Sequence, residues 1–363
     1  MAGGTAGASV PVHRVPVHEL DGFCRASLSA AGADEPTVDA AARAMMHGSR
    51  LGVDSHGVRL LDHYVKVLTE GRVNPAPNLR FARQSGATAT LDADDAHGAR
   101  AGYFAMDEAV RVAQRFGIGA VAIRKSSHFG PAGAFALTAV QAGMIGIAMC
   151  NSDAFVRLHE GAQRFHGTNP IACGVPVPGG RPWLLDMATS AIPYNRVQLY
   201  KSLGLALPLE TASRADGEDT EDANLVEMLA PLGGAFGFKG AGLAGMAEIF
   251  SAVLSGMKLS FELAPMGGPD FSTPRGLGAF VLALKPDAFV DRQVFDEGMQ
   301  RYLATLRSSP ARAGGAVMAP GDREWAEEER RLKEGIPIDP ATLDAFQRLS
   351  ERFGIDMPRG ADA

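Results

Sequence analysis

The sequence predicts an α/β protein, and three observations carry that prediction. Short apolar runs bounded by glycine, at 118–123 and 145–149, suit buried strands. Between them a helical pattern opens at Gly130-Pro131, where proline is tolerated in a first turn, and stops at Gly143. Strand-like and helix-like segments go on alternating on both sides, in a chain of 363 residues that is long enough for two domains and a large core.

Taken in order, the Gly/Ala-rich start has no compact apolar stretch behind a basic one. Residues 1–14 are therefore expected to be a disordered leader and not a signal peptide. Residues 16–31 and 35–51 read as helices, with Gly32 closing the first and alanines and methionines marking the second as a packing helix. Asp54 or Ser55 is placed to cap a helix carrying Arg59, His63 and Tyr64, which Gly71 ends. A strand at 88–93 and a helix at 102–116 precede the central unit.

After the central unit come a turn-rich loop at 165–170, strands at 171–177 and 183–186, and a polar, glycine-broken segment at 210–224 read as an exposed loop. Residues 232–243 open a long helix with Leu243, Ala247, Phe250 and Leu254 on its apolar face and Gly256 as its stop. A strand at 278–284 and a helix at 294–306 follow. The charged run 323–334 reads as a solvated helix face, and Asp339-Pro340 caps a last helix bearing Leu343, Phe346 and Leu349.

Composition narrows the function. Hydrophobic residues are 46% and charged residues 21%, ordinary for a globular protein, and a formal charge of -6 favours neither nucleic acid nor an anionic membrane. No apolar run approaches the ~18 residues that suggest a membrane span. Three cysteines (Cys24, Cys150 and Cys173) match no disulfide framework or zinc spacing, so a reducing, cytoplasmic home is the simplest expectation. His159 and His166 lack a carboxylate or cysteine partner at a recognised spacing, and no metal is expected.

His128 sits in the strand-to-helix loop of the central βαβ unit, where open α/β sheets bind ligands and a histidine exchanges protons near neutral pH. The plainer reading is a loop histidine bonded to backbone. No Gly-x-Gly-x-x-Gly follows the first strands, so a Rossmann site is not supported, and no phosphate-loop lysine or Gly-x-Ser-x-Gly elbow is present.

Five glycine-punctuated stretches stand out in order: Asp-Ser-His-Gly, Ser-Ser-His-Phe-Gly, Gly-Thr-Asn-Pro, Leu-Asp-Met-Ala-Thr-Ser and Gly-Phe-Lys-Gly-Ala-Gly-Leu. Together they resemble the malate/L-lactate dehydrogenase family of NAD(P)-dependent oxidoreductases. That family includes ureidoglycolate, sulfolactate and diketogulonate enzymes and cyclic-imine carboxylate reductases, and is unrelated to the Rossmann-type lactate and malate dehydrogenases. The resemblance spans about residues 17–321. It implies a non-Rossmann, mixed-sheet α/β cofactor domain at 118–284. That domain would be inserted in a discontinuous substrate and dimerisation domain made from 15–117 and 285–363. It also implies a homodimer using NAD or NADP.

Carried over by motif, the resemblance makes His128 the catalytic acid/base, assisted by His56; a locally satisfied helix-start histidine is the other reading of His56. It puts Asn151, Ser152, Asp186, Met187 and Ala188 against the cofactor. Thr168 and Asn169 join them from the Gly-Thr-Asn-Pro turn, although turn residues of these types also bond their own backbone. Lys239 and Gly240 open a glycine-rich helix suited to a phosphate or carboxylate. Gly321 lies in a Pro-Gly-Asp turn resembling the family's Pro-Gly-Glu.

Tyr64 aligns with a substrate contact. Two departures fall nearby: Leu60 stands where many members have arginine, with Arg59 one position earlier, and Arg196 stands near the place of a lysine. The expected reaction is hydride transfer between nicotinamide and a small 2-hydroxy acid/2-oxo acid pair, with Arg59, Arg196 or Lys239 meeting the carboxylate. Reduction of a cyclic imine carboxylate or ketimine, and a non-catalytic cofactor-binding relative, are the alternatives.

Overall fold

The computed structural model describes residues 13–360. The expected leader lies outside them except for His13 and Arg14, which are not disordered but open strand β1 (His13–Val15). Helices α1 (Val17–Ala30) and α2 (Glu35–Arg50) follow, and the Asp34 carboxylate caps α2 by accepting the Thr37 N–H at 2.9 Å. Two 3₁₀ turns, Asp54–His56 and Val58–Leu60, lead into α3 (Leu61–Thr69). Neither Asp54 nor Ser55 caps that helix: Asp54 pairs with Arg331, and Ser55 bonds His56.

The middle of the chain supplies β2 (Arg80–Ser85), β3 (Thr88–Ala96), α4 (Gly98–Phe116), β4 (Ile118–Ser126), α5 (Ala132–Gln141) and β5 (Ile145–Cys150). Short strands β6 (Val156–Arg157) and β7 (Arg164–His166) precede β8 (Ile171–Val175), β9 (Trp183–Met187) and α6 (Tyr194–Leu203). Then come β10 (Ala212–Ser213), β11 (Met228–Leu229) and α7 (Phe238–Glu248), which continues as a π-helical turn over Ile249–Val253. Strand β12 (Leu277–Leu284), α8 (Arg292–Arg307), α9 (Asp322–Glu334), β13 (Ile336–Ile338) and α10 (Pro340–Phe353) complete the described chain.

The main sheet is mixed, in the order β2-β3-β4-β12-β5-β8-β9, and β3 with β4 is its parallel pair. The expected unit β4-α5-β5 is present, but β12 runs antiparallel between its two strands. Alternation sorts β12 by face: Ala279, Val281 and Ala283 join the core under α4 and α5, while Phe280 joins Ala122, Met149 and Ala247 on the other side. Burial on both faces explains the unbroken apolar run Leu-Gly-Ala-Phe-Val-Leu-Ala-Leu. Because β2, β3 and α4 come from residues before 117, the expected boundary at 117/118 falls within this sheet's run of strands.

A separate core joins the two ends of the chain. β1 pairs with β13, and Leu20, Phe23, Met45, Tyr64, Phe346 and Leu349 pack together, with Phe23 and Phe346 rings 5.0 Å apart. A four-stranded sheet, β10-β11-β6-β7, lies in the middle segment. The loop expected at 210–224 contributes β10 to it, with Ala212 and Ser213 buried.

Two faces differ from the pattern read in the sequence. On α7, Ala247 is buried and Phe250 packs on the core, but Leu243 and Leu254 are exposed; the buried line runs Gly240, Ala244, Ala247 and Glu248. The π turn adds a residue to one turn of the helix, which shifts the phase assumed from a regular 3.6 repeat. On α9 the charged run is not wholly solvated: Trp325, Glu328 and Arg331 are buried.

Strand β12 also carries a close approach. A Cβ at Gly278 would overlap the Ser251 carbonyl of the π turn, so only glycine fits. Gly278→Ala should destabilise the fold by about 1–3 kcal/mol or more, the usual range for overpacking a core; urea unfolding checks it, and an unchanged midpoint would show that the π turn yields freely.

Candidate active site

His128 lies two residues beyond β4, in the loop before α5. Ser127 secures that loop by accepting the Gly98 N–H at 3.0 Å, and a Cβ at Gly98 would overlap the His128 carbonyl, so the start of α4 packs directly under it. His128 Nδ1 is 2.8 Å from the Tyr64 hydroxyl on α3, while Nε2 has no partner among the described residues. His56, from the first 3₁₀ turn, stacks on His128 with ring centroids 5.5 Å apart and planes 21° from parallel. The Ser55 hydroxyl orients His56 from 2.9 Å. His128, His56 and Tyr64, which the sequence assigned to the site, therefore meet.

The structure adds residues the sequence reading passed over. His97 Nδ1 accepts the Ala99 N–H at 3.1 Å, which puts its proton on Nε2, and its ring stands edge-on to Tyr64 at 4.2 Å. His63 borders Tyr64 at 5.9 Å and Phe271 at 6.2 Å. A signal for His97 existed, because Asp-Ala-His-Gly repeats the strand–His–Gly–helix punctuation around His128.

This cluster is held neutral. Burial is the main cause for each ring: it lowers His97 to about 3 and His56 and His63 to about 4, and takes His128 well below the ordinary value. A proton on His128 would also meet like charge on any neighbouring ring that carried one and on Arg275, and Arg72 and Arg275 deepen the shift at His63. Burial drives Tyr64 far upward, so its hydroxyl keeps its proton. The paired Tyr64 and His128 are thus neutral, and which of them donates in the bond between them is set by the tautomer of the ring.

The cations expected to meet a carboxylate do not join these rings through any bond. Arg59 and Arg196 are exposed, and neither side chain makes a hydrogen bond or ion pair among the described residues. Lys239 is also exposed, with its ammonium over the Phe236 ring at 5.3 Å.

The expected cofactor residues fall into several groups. Asn151 and Asn169 are fully buried and serve the scaffold. Asn151 donates to the Lys258 carbonyl at 2.9 Å, and Asn169, at φ 33°, donates to the Ala244 carbonyl at 3.1 Å and to Glu248 at 2.8 Å. Ser152 Oγ accepts the Thr168 N–H at 3.1 Å. Gly321, at φ 95°, packs against Leu184 and Trp325 at the start of β9.

Asp186, Met187 and Ala188 lie at the opposite end of β9 and keep access to solvent. Asp186 takes the capping place at α5 by accepting the Gly133 N–H at 2.8 Å. Drawn in against that helix start, its carboxyl is desolvated and its pKa raised to about 6, although the residue as a whole is open on one side. At the start of α7, Gly240 is buried and the N–H groups of Phe238 and Lys239 make no hydrogen bond among the described residues. Free N–H groups beside a lysine fit a phosphate.

Known proteins resemble this chain along nearly its whole length. Residues 15–347 match the family described as malate/L-lactate dehydrogenase. A malate dehydrogenase of Pyrococcus abyssi is 34% identical over 350 residues, covering 94% of this chain and 95% of that protein. A ureidoglycolate dehydrogenase (NAD(+)) of Escherichia coli is 29% identical over 328 residues, covering 90% of this chain and 92% of that protein. The structure of a malate dehydrogenase from Pyrococcus horikoshii superposes with a TM-score of 0.87 at 31% identity, covering 98% of this chain and 99% of that one.

The buried neutral histidines also tie stability to pH. His47, on α2 and outside the ring cluster, is lowered to about 3 by burial and by Arg50 and Arg43. Between pH 6.5 and about 3 the unfolded chain binds this proton and the folded one does not, so stability falls as pH drops through 6.5. At pH 5 one such group costs about 2 kcal/mol. His47→Gln should therefore show a smaller loss of Tm between pH 7.5 and pH 5 than the parent; an equal loss would mean that His47 takes up its proton in the fold.

Proposed function

The chain belongs to the malate/L-lactate dehydrogenase family, and on that premise we propose that it interconverts a small 2-hydroxy acid and its 2-oxo acid. NAD or NADP, when bound, takes or supplies the hydride. The observation that carries the reading is His128, at the carboxyl end of β4, with Nδ1 held by Tyr64 and Nε2 left free.

The residues act through that pair. In oxidation, neutral His128 accepts the substrate hydroxyl proton at Nε2 while Nδ1–H donates to Tyr64 oxygen. In reduction the same path runs backwards: the doubly protonated ring gives its Nε2 proton to the substrate oxygen as hydride arrives, and Nδ1–H goes on donating to Tyr64 oxygen. Tyr64 oxygen therefore holds Nδ1–H in both directions, which keeps Nε2 as the reacting nitrogen. His56, stacked on His128, keeps water off one face and supplies a second proton carrier. Lys239 and the opening of α7 hold the cofactor phosphates, and Asp186, Met187 and Ala188 line the approach from β9. Asn151, Ser152, Thr168 and Asn169 serve the cofactor indirectly, by setting the strand ends beneath it.

The assembly is a homodimer and its home the cytoplasm. The apolar face left open on α7 and the π turn, including Leu243, Ile249 and Val253, supports a covered surface. The three free cysteines support a reducing compartment, and no helix among the described residues is long and apolar enough to cross a membrane.

The test follows NADH and NADPH absorbance separately against a panel of 2-oxo acids and cyclic imine carboxylates. Turnover of a 2-oxo acid that His128→Ala abolishes is expected; turnover of imines alone would move the assignment to an imine reductase, and failure to bind either cofactor would sink it. Tyr64→Phe should lower kcat by about 10–100-fold with cofactor affinity unchanged, the range for disturbing a positioned acid/base. A kcat within about twofold of the parent would show that the tyrosine does not orient His128.

A further inference from the structure

Strand β12 decides what stands beside His128. It runs antiparallel between β4 and β5, with Leu277 opposite Ser126 and Ala279 opposite Cys150. The segment leading into β12 is therefore returned to the carboxyl ends of both neighbours. His128 lies two residues beyond Ser126, Asp153 three beyond Cys150, and Arg275 two before Leu277. The three converge on one edge of the sheet from segments more than a hundred residues apart in part.

Arg275 is 2% exposed, yet only part of its fork is engaged. Nε donates to the Ala264 carbonyl at 2.8 Å and Nη2 pairs with Asp153, while Nη1 makes no hydrogen bond among the described residues. Arg72, 3% exposed, backs it. Its Nη1 donates to the Met266 carbonyl at 3.0 Å, its guanidinium lies 4.7 Å from the Phe271 ring, and its Nε is buried without a partner. Two buried guanidinium groups thus face one partly buried carboxylate, Asp153. Glu70 and Asp270 also lie near Arg72, but both stand exposed in solvent, and Asp270 is occupied by the turn at Ser272. An unmatched buried cation is costly, and an anionic ligand cancels that cost.

We propose that Arg275, braced by Asp153 and backed by Arg72, binds the carboxylate of the substrate beside His128. This rests on the hydride-transfer reading above and assigns the anchor that neither Leu60 nor the exposed Arg59 supplies. Nη1 meets one carboxylate oxygen, and the planar fork sets the substrate plane so that the carbon next to the carboxylate lies against the histidine. Selection is then for a charged carboxylate over an ester or amide of the same skeleton.

The experiment compares Arg275→Gln, Arg275→Lys and Arg59→Gln on the best 2-oxo acid of the panel and on its methyl ester. It also measures oxalate binding to the cofactor-loaded protein by calorimetry. Arg275→Gln should lose about 100-fold in kcat/KM for the acid, mainly through KM, the scale of removing one partner of a buried charge pair. The ester should change little and cofactor affinity not at all. Arg275→Lys, which keeps the charge without the fork, should fall between, and it carries the test if the glutamine variant does not fold.

Oxalate should bind the parent protein and not Arg275→Gln. Equal losses for acid and ester, oxalate binding unaltered in Arg275→Gln, absence of oxalate binding in the parent, or the selective loss falling on Arg59→Gln instead would each overturn the assignment. A parent protein that reduces no 2-oxo acid yet binds oxalate through Arg275 would overturn the hydride-transfer reading and leave the anion site standing.

Discussion

One reversed strand organises this molecule. β12 arrives late in the chain and slots antiparallel between β4 and β5, which a helical crossover would otherwise leave as neighbours. A strand in that position is buried on both faces, so its sequence is apolar throughout and its lead-in must turn at the sheet's carboxyl edge. The close passage of Gly278 beneath the π turn shows how little room the arrangement leaves. Everything that gathers at the edge follows from it: the His128 loop from one side, Asp153 from the other, and the arginine between them.

The polar interior is built on the same logic. Glu248, 6% exposed and without an ion-pair partner among the described residues, is satisfied wholly by neutral donors: Asn169 at 2.8 Å, the Ser260 N–H at 2.6 Å, the Ser260 hydroxyl and Asn151. A buried carboxylate with that many donors organises the segments that carry them. It holds Asn169 in its left-handed conformation and ties the end of β5 to α7. Beside it lies a cluster of neutral imidazoles bordered by buried arginines. Burial first, and the arginines' positive potential second, keep protons off the rings, so His128 rests neutral, and a bound anion shifts that balance toward the protonated ring.

Helix α9 has a part in the site without touching it. Arg331, buried at the base of the charged run, donates to the Ser49 carbonyl at 2.7 Å and to Asp54 at 3.0 Å. That anchors the 3₁₀ turn from which His56 reaches the His128 ring. The two ends of the chain thus meet twice, in the apolar core joining β1 and β13 and in this ion pair.

Much of this was legible in the residues because the signals are local. Glycine stops, the Asp339 cap, and the apolar runs of β4, β5 and β12 depend on neighbours a few positions away, and each of these elements formed where its pattern lies. The histidine loop was legible for the same reason: a polar, glycine-punctuated turn between a buried strand and a helix has few uses. The neighbour of each strand was not legible. An apolar run suits any buried position, so nothing in 277–284 says that it runs backwards between β4 and β5. Arg275 and Asp153 therefore carry no local mark. The phase of α7 escaped because a π turn is set by packing, and Asp54, well placed to cap α3, is claimed by an arginine 277 positions away. Local chemistry determined the elements and the reactive loop; long-range pairing, which burial decides, chose the charges around it.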